Sequence, residues 1–196
     1  MWKNKFIPVL TTLMLLCVGT MASPPPPKNP KDFLRKFFSD LVLVERIKNP
    51  KLKESKFVAL ISANVDLDWV ANFILGRHRK NISHLQKKEF VDLYSKYLAS
   101  SYRPTLSIFK DNNCEFLAEE KQKEHVFLVY TIVPFNNKRI KTNFRIIEKD
   151  GTYTIVDLVI EGISFISAKR TDLNSIITSR GFDGFMEDLR KVYAHK

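Results

Sequence analysis

Up to Cys114 the apolar residues of this chain recur at helical spacing, and after it they alternate with polar ones. A stripe repeating every 3.6 residues cannot bury itself as a strand, nor an alternating one as a helix. The change of period therefore divides the fold into a helical half and a sheet half. In the first half Phe33, Phe37, Leu41 and Val44 form one apolar face that begins at Pro30 and is stopped by Asn49-Pro50. A shorter helix is expected over 53–63, and Asp66 is placed to cap a third over 67–75 that ends at Gly76. Ser83 and Gln86 form a capping-box pair ahead of a long helix carrying Phe90, Leu93, Tyr94, Tyr97 and Leu98, which Pro104 bends or ends.

The alternating half predicts strands over 114–119, 125–133, 139–147 and 153–160, joined as an antiparallel meander. Asn136-Asn137 marks one hairpin and Asp150-Gly151 another. A two-residue loop at Asp150-Gly151 would put Asp157 opposite Phe144. A three-residue loop is preferred, because it aligns Phe144 with Val156, Thr142 with Leu158 and Ile140 with Ile160. The other face then collects Lys141, Asn143, Arg145 and Asp157, giving this hairpin one wet and one dry side. Strand 125–133 is apolar on both faces and so interior, and two short helices, 172–179 and 183–192, close the chain around Gly181. The fold class is α+β: a small twisted antiparallel sheet of about four strands, wrapped by N-terminal and C-terminal helices.

At the start, Lys3 and Lys5 precede an apolar run over 6–18 that ends in small residues, the layout of a secretory signal peptide cleaved near Ala22. The run is too short to span a bilayer, which takes about 20 residues. We therefore expect a signal peptide over 1–22, a Pro-rich leader over 23–30 and a single domain over 31–196. Cys17 leaves with the signal, so Cys114 remains alone and an internal disulfide is excluded. The net charge of +11 favours anionic partners, but no basic stripe interleaved with exposed aromatics points to nucleic acid.

Catalytic chemistry finds little support. His78, His84, His125 and His195 are scattered without metal-ligand spacing, so no metal is expected. Ser164 follows Gly162 as in a nucleophile elbow, yet Phe165-Ile166 replace the second glycine that tightens the turn. A lone Cys114 reads as inert, and Asp157 reads more simply as a surface ion pair with Arg145 or Lys141 than as an acid or base. What the chain has in excess is phenylalanine, 15 copies spread over helices and strands. Most fill a core; the sharper reading is an apolar pocket left between the layers.

Two stretches carry a resemblance. The first is Val65-Asp-Leu-Asp-Trp-Val-Ala-Asn-Phe-Ile-Leu-Gly-Arg77, followed by the capped helix with Phe90, Tyr97-Leu98 and Tyr102. The second is Val156-Asp157-Leu158-Val159-Ile160-Glu161-Gly162-Ile163-Ser164, with Asn174-Ser175-Ile176-Ile177 and Arg180-Gly181-Phe182-Asp183-Gly184 after it. Together they resemble the MlaC family of phospholipid-binding, toluene-tolerance proteins over most of residues 31–191. Leu173 stands where that family often has an aromatic residue, and the proline run is unusual.

The resemblance implies one apolar cavity between helices and sheet, and a non-enzymatic periplasmic carrier with phospholipid as cargo and no cofactor. That carrier would shuttle lipid between an outer-membrane MlaA complex and an inner-membrane ABC transporter with an MlaD ring, maintaining outer-membrane asymmetry. It would act as a monomer that touches membrane complexes only transiently. For the pocket wall the expectation is the dry hairpin face, Ile140, Phe144, Ile146, Val156, Leu158 and Ile160, with Phe127 and Val129 beside it. Phe73, Tyr94 and Leu98 would join from the helices. Arg77, Arg79, Lys80, Lys138 and Arg170 are candidates for the rim or for partner docking. Two alternatives stay open: a periplasmic protein-binding adaptor, and a small pocket enzyme using Asp157 and His125.

Overall fold

A computed structural model describes residues 27–106 and 113–193, with the side chains of 98–106 left aside. The expected signal peptide and the first half of the Pro-rich leader lie outside the described residues, as does the Leu98 side chain. Helix α1 spans Pro30–Glu45 and α2 spans Pro50–Asn64. Both open on the same Asn-Pro pair. The asparagine side chain accepts from the backbone N–H three residues on, Asp32 at 2.8 Å and Leu52 at 3.0 Å, and proline fills the first helical position, where no N–H is needed. Asn49-Pro50 is thus the start of α2 rather than only the stop of α1, which ends earlier, at Glu45.

Helix α3, Leu67–Leu75, is capped by Asp66 at 2.8 Å and ends at Gly76, whose φ of 51° lies in the region favouring glycine. A 3-10 turn, Gly76–Asn81, follows. Helix α4, His84–Leu106, starts at the expected capping box: the Gln86 side chain accepts from the Ser83 N–H at 2.8 Å, and the Gln86 N–H donates to the Ser83 hydroxyl at 3.2 Å. Its backbone runs through Pro104.

The sheet is a five-stranded antiparallel meander in the order β1 (Glu115–Lys123), β2 (Val126–Phe135), β3 (Lys138–Lys149), β4 (Thr152–Ile160) and β5 (Ile163–Ser164). The two-residue β5 is one strand more than the periodicity suggested; so short a strand leaves no alternation to read. Helix α5, Phe165–Tyr193, begins directly after it and is broken at Gly181, φ 74°, so the closing helix starts well before the expected residue 172.

The expected register of the β3–β4 hairpin is corrected. Lys149 pairs with Thr152, which makes Asp150-Gly151 a two-residue turn with both φ positive, 51° and 72°. A β-bulge between Arg145 and Ile146 then advances the pairing by one. Phe144 comes to face Leu158, Thr142 faces Ile160 and Arg145 faces Asp157. Val156 is the extra residue and is not opposite Phe144. The need the sequence exposes, keeping Asp157 off the Phe144 face, is met inside the strand instead of by a longer turn.

Two apolar cores result. In the first, α1 and α2 lay Leu34, Phe37, Phe38, Leu41, Phe57 and Ile61 against Val129, Val133, Phe144, Ile146 and Ile155 of the sheet. Phe38 meets Phe144 edge-on at 5.3 Å. The second lies among α3, α4 and α5, around Ile74, Leu75, Phe90, Tyr94, Ile177, Phe185 and Met186. Val65 packs against both cores and bridges to Ile155 beside the outer edge of β4.

Candidate functional site

The dry face of the sheet is largely hydrocarbon. Val129 pairs with Phe144, Phe127 with Ile146, Val133 with Ile140 and Phe144 with Leu158, so one face of three strands presents hydrocarbon. Its cover is uneven. Val129, Val133, Phe144 and Ile146 are fully buried under α1 and α2, whereas Phe127, Ile140, Leu158 and Ile160 are half-buried. The polar groups of this face are turned to the backbone: the Thr131 hydroxyl donates to the Thr142 carbonyl, and the Thr142 hydroxyl donates to the Ile140 carbonyl at 3.5 Å. Such a wall can hold an alkyl chain and offers little to a polar ligand.

The other expected wall residues lie elsewhere. Tyr94 is buried in the second core, stacked on Phe90 at 5.3 Å. Phe73 is half-buried there, stacked on Trp69 at 5.4 Å with the Arg170 guanidinium 5.1 Å from its ring centre. Val156 is buried at the bulge. The expected wall therefore separates into a sheet set and a helix set in different cores, with Val65 between them.

The basic candidates separate too. Lys138 is exposed at the β2–β3 turn, beside the half-covered end of the dry face. Arg170 is held against Phe73 and Gly76; a Cβ on Gly76 would lie 2.8 Å from its guanidinium. Arg77, Arg79 and Lys80 are exposed on the 3-10 turn.

Asp157 is corrected from the wet surface to the interior. Its side chain is 0% exposed and Arg145, 35% exposed, reaches it at 3.1 Å. The Ser164 hydroxyl donates to it at 2.7 Å and the Ile166 N–H at 3.2 Å. Ser164 in turn accepts from the Ser167 N–H at 3.2 Å, as the N-cap of α5. The carboxylate thus ties β4 to β5 and to the positive end of α5. The signal in the sequence was Ser164-x-x-Ser167 following an in-strand acid, a helix start rather than a nucleophile.

His125 sits exposed in the β1–β2 turn with φ 60°, near Glu124 and Glu148. Its carbonyl accepts from the Glu148 N–H at 2.9 Å, three residues along β3 from the Arg145 that faces Asp157. The two candidates are therefore on opposite sides of β3 and offset by roughly 10 Å along it. Burial pushes the Cys114 thiol up to about 11, against a weaker opposing effect of its hydrogen bond with Thr131, so it is a poor nucleophile. Among the described residues no group of three or more His, Cys, Asp or Glu could hold a metal, and no helix is long and apolar enough to cross a membrane.

A solved structure of a phospholipid-binding protein from Ralstonia solanacearum, in complex with a phospholipid, has the same fold, with a TM-score of 0.68 over 81% of this chain and 93% of that one at 16% identity. The family model described as MlaC protein matches residues 35–191, from the first turns of α1 almost to the end of α5. With that match spanning the helices, the meander and the closing helix in one continuous run, the chain belongs to the MlaC family.

Proposed function

We propose that the protein is a periplasmic phospholipid carrier, not an enzyme. It encloses the acyl chains of a diacyl lipid against the dry face of the sheet and moves that lipid between outer- and inner-membrane complexes to maintain outer-membrane asymmetry. Membership of the MlaC family over residues 35–191 carries this reading. The fold neighbour that holds a phospholipid and the hydrocarbon wall with its half-covered end at Ile140, Leu158 and Ile160 support it.

The energetics explain why such a carrier needs no catalytic group. Two acyl chains of roughly 30 methylenes in all, at ~0.8 kcal/mol each, cost on the order of 24 kcal/mol to leave in water. Enclosure is the whole task. Four protruding methylenes would forfeit about 3 kcal/mol, so nearly all of each chain must be covered while the headgroup stays in solvent, with Lys138 at the rim. The protein works as a monomer with lipid as its cargo and no cofactor, engaging MlaA-like and MlaD-like membrane complexes in passing.

The test is denaturing extraction and mass spectrometry of what copurifies with protein made in the periplasm without detergent. Near-stoichiometric diacyl phospholipid of mixed headgroups is expected; a folded protein free of lipid would refute the carrier reading. Leu158→Trp, at a half-buried wall position, should lower lipid content while the protein stays folded. Unchanged loading removes Leu158 from the wall. The same substitution at Phe144 is less informative, because Phe144 is already packed on Phe38 and overfilling that core costs about 1–3 kcal/mol.

A further inference from the structure

The segment from Gly76 to Lys88 gathers basic residues, most of which make no ion pair among the described residues. His78 and Ile82 turn inward, Ile82 packing on the second core and the His78 Nε2 lying buried without a hydrogen-bond partner. Between and after them Arg77, Arg79, Lys80, His84 and Lys88 are exposed, and no ion pair among the described residues engages any of these five. The neighbouring acids are occupied: Asp68 pairs with Lys87 at 3.3 Å, Glu89 with Arg190 at 2.6 Å, and Asp183 accepts from Gln86 at 3.1 Å. In the midst of these basic residues Leu85 is 77% exposed, on the same face of α4 as Lys88 one turn later.

We infer that this turn and the first turn of α4 form a docking patch for an anionic lipid bilayer. Cations clustered on a short exposed turn adsorb to a negatively charged headgroup surface without shape complementarity, and one exposed aliphatic side chain enters the interface among them. A protein partner fits less well. Interface centres are apolar and poor in lysine, whereas Leu85 is the single large exposed apolar side chain among the described residues of this patch. Adsorption of this kind is weak and reversible, and it requires neither cargo nor the dry face, so it stands or falls apart from the carrier reading.

The test is co-sedimentation of the purified protein with vesicles of phosphatidylcholine alone or with 30% phosphatidylglycerol, at low and high salt. Binding is expected only to the anionic vesicles and only at low salt. A cation at such a surface is worth about a fivefold change in partition, so R77Q/R79Q/K80Q should bind about a hundredfold less. K51Q/K56Q/K149Q, which removes the same charge from exposed lysines elsewhere, should bind nearly as wild type. No wild-type binding to anionic vesicles, as a patch meant for an acidic protein face would give, overturns the inference, and so does equal loss in both triple variants. Leu85→Trp supplies a second readout: its fluorescence should shift to the blue on anionic vesicles, and an unchanged spectrum with bound protein places Leu85 outside the interface and refutes the patch as drawn. Lipid content of each variant is measured in parallel, so failure of cargo binding and failure of docking are told apart.

Discussion

Asp157→Asn keeps the size of a buried side chain and changes only what it can accept. The native carboxylate receives the Arg145 guanidinium at 3.1 Å, the Ser164 hydroxyl at 2.7 Å and the Ile166 N–H at 3.2 Å, with no solvent exposure of its own. An amide has one oxygen for these donors and must point its NH2 at another of them. A hydrogen bond to a charged group is worth about 1.5–3 kcal/mol, but Arg145 is one-third exposed and recovers water when released, which reduces its share. We expect Asp157→Asn to destabilise by about 2–3 kcal/mol, and Asp157→Ala, which leaves both Ser164 and the Ile166 N–H without their acceptor, by about 3–5 kcal/mol. Urea unfolding should show a lower midpoint at unchanged slope. Because Ser164 belongs to the same network, Ser164→Ala combined with Asp157→Asn should cost less than the two apart by about 1 kcal/mol or more. An Asn variant within about 0.5 kcal/mol of wild type would refute the tie between β4 and α5.

Cys114, with its thiol pushed up to about 11 by burial, should react with a thiol reagent at pH 8 far more slowly in the folded protein than in urea, the rate climbing steeply toward pH 11; equal rates in both states would contradict its burial. The Glu89–Arg190 pair joins α4 to α5, and the hydrogen bond from Arg190 holds the Glu89 carboxyl below its ordinary value. A depressed carboxylate contributes above its unfolded pKa and is lost as pH falls through its folded one, so Glu89→Gln should cost little at pH 7 and progressively less as the pH is lowered below the ordinary carboxylate range, as read by urea midpoints across the acid range. Gly76→Ala places a Cβ 2.8 Å from the Arg170 guanidinium at a φ of 51°, and should destabilise by about 1–3 kcal/mol in thermal unfolding; a variant as stable as wild type would show that Arg170 is free to leave Phe73.

The elements most readable in the sequence were those with local causes. Asp66 to Gly76 and Ser83 with Gln86 delimit α3 and α4 because caps and C-terminal glycines act on backbone groups a few residues away. The dry face of the hairpin was legible as alternation, and Phe127, Val129, Phe144 and Ile146 do lie on it together. The start of α5 was hidden, because what caps it is Ser164 backed by Asp157, an acid seven residues earlier that reaches the helix only once β4 and β5 have paired. The helical candidates for the wall went to the other core for a similar reason: periodicity tells that Phe73 and Tyr94 point inward, not into which of two cores they point.

From the sequence alone followed an α+β chain of helices, antiparallel meander and two closing helices parted at Gly181, and, through the MlaC-like stretches, its family. These rest on side-chain period, capping chemistry and residue order, all fixed along the chain. Tertiary structure decided the rest: the bulge that turned Asp157 away from Phe144, the burial of that carboxylate, the division into two cores, and the cations of the 76–81 turn, which have no acidic partner among the described residues. Each of these depends on which distant residues arrive beside one another, and a local period carries no information about that meeting.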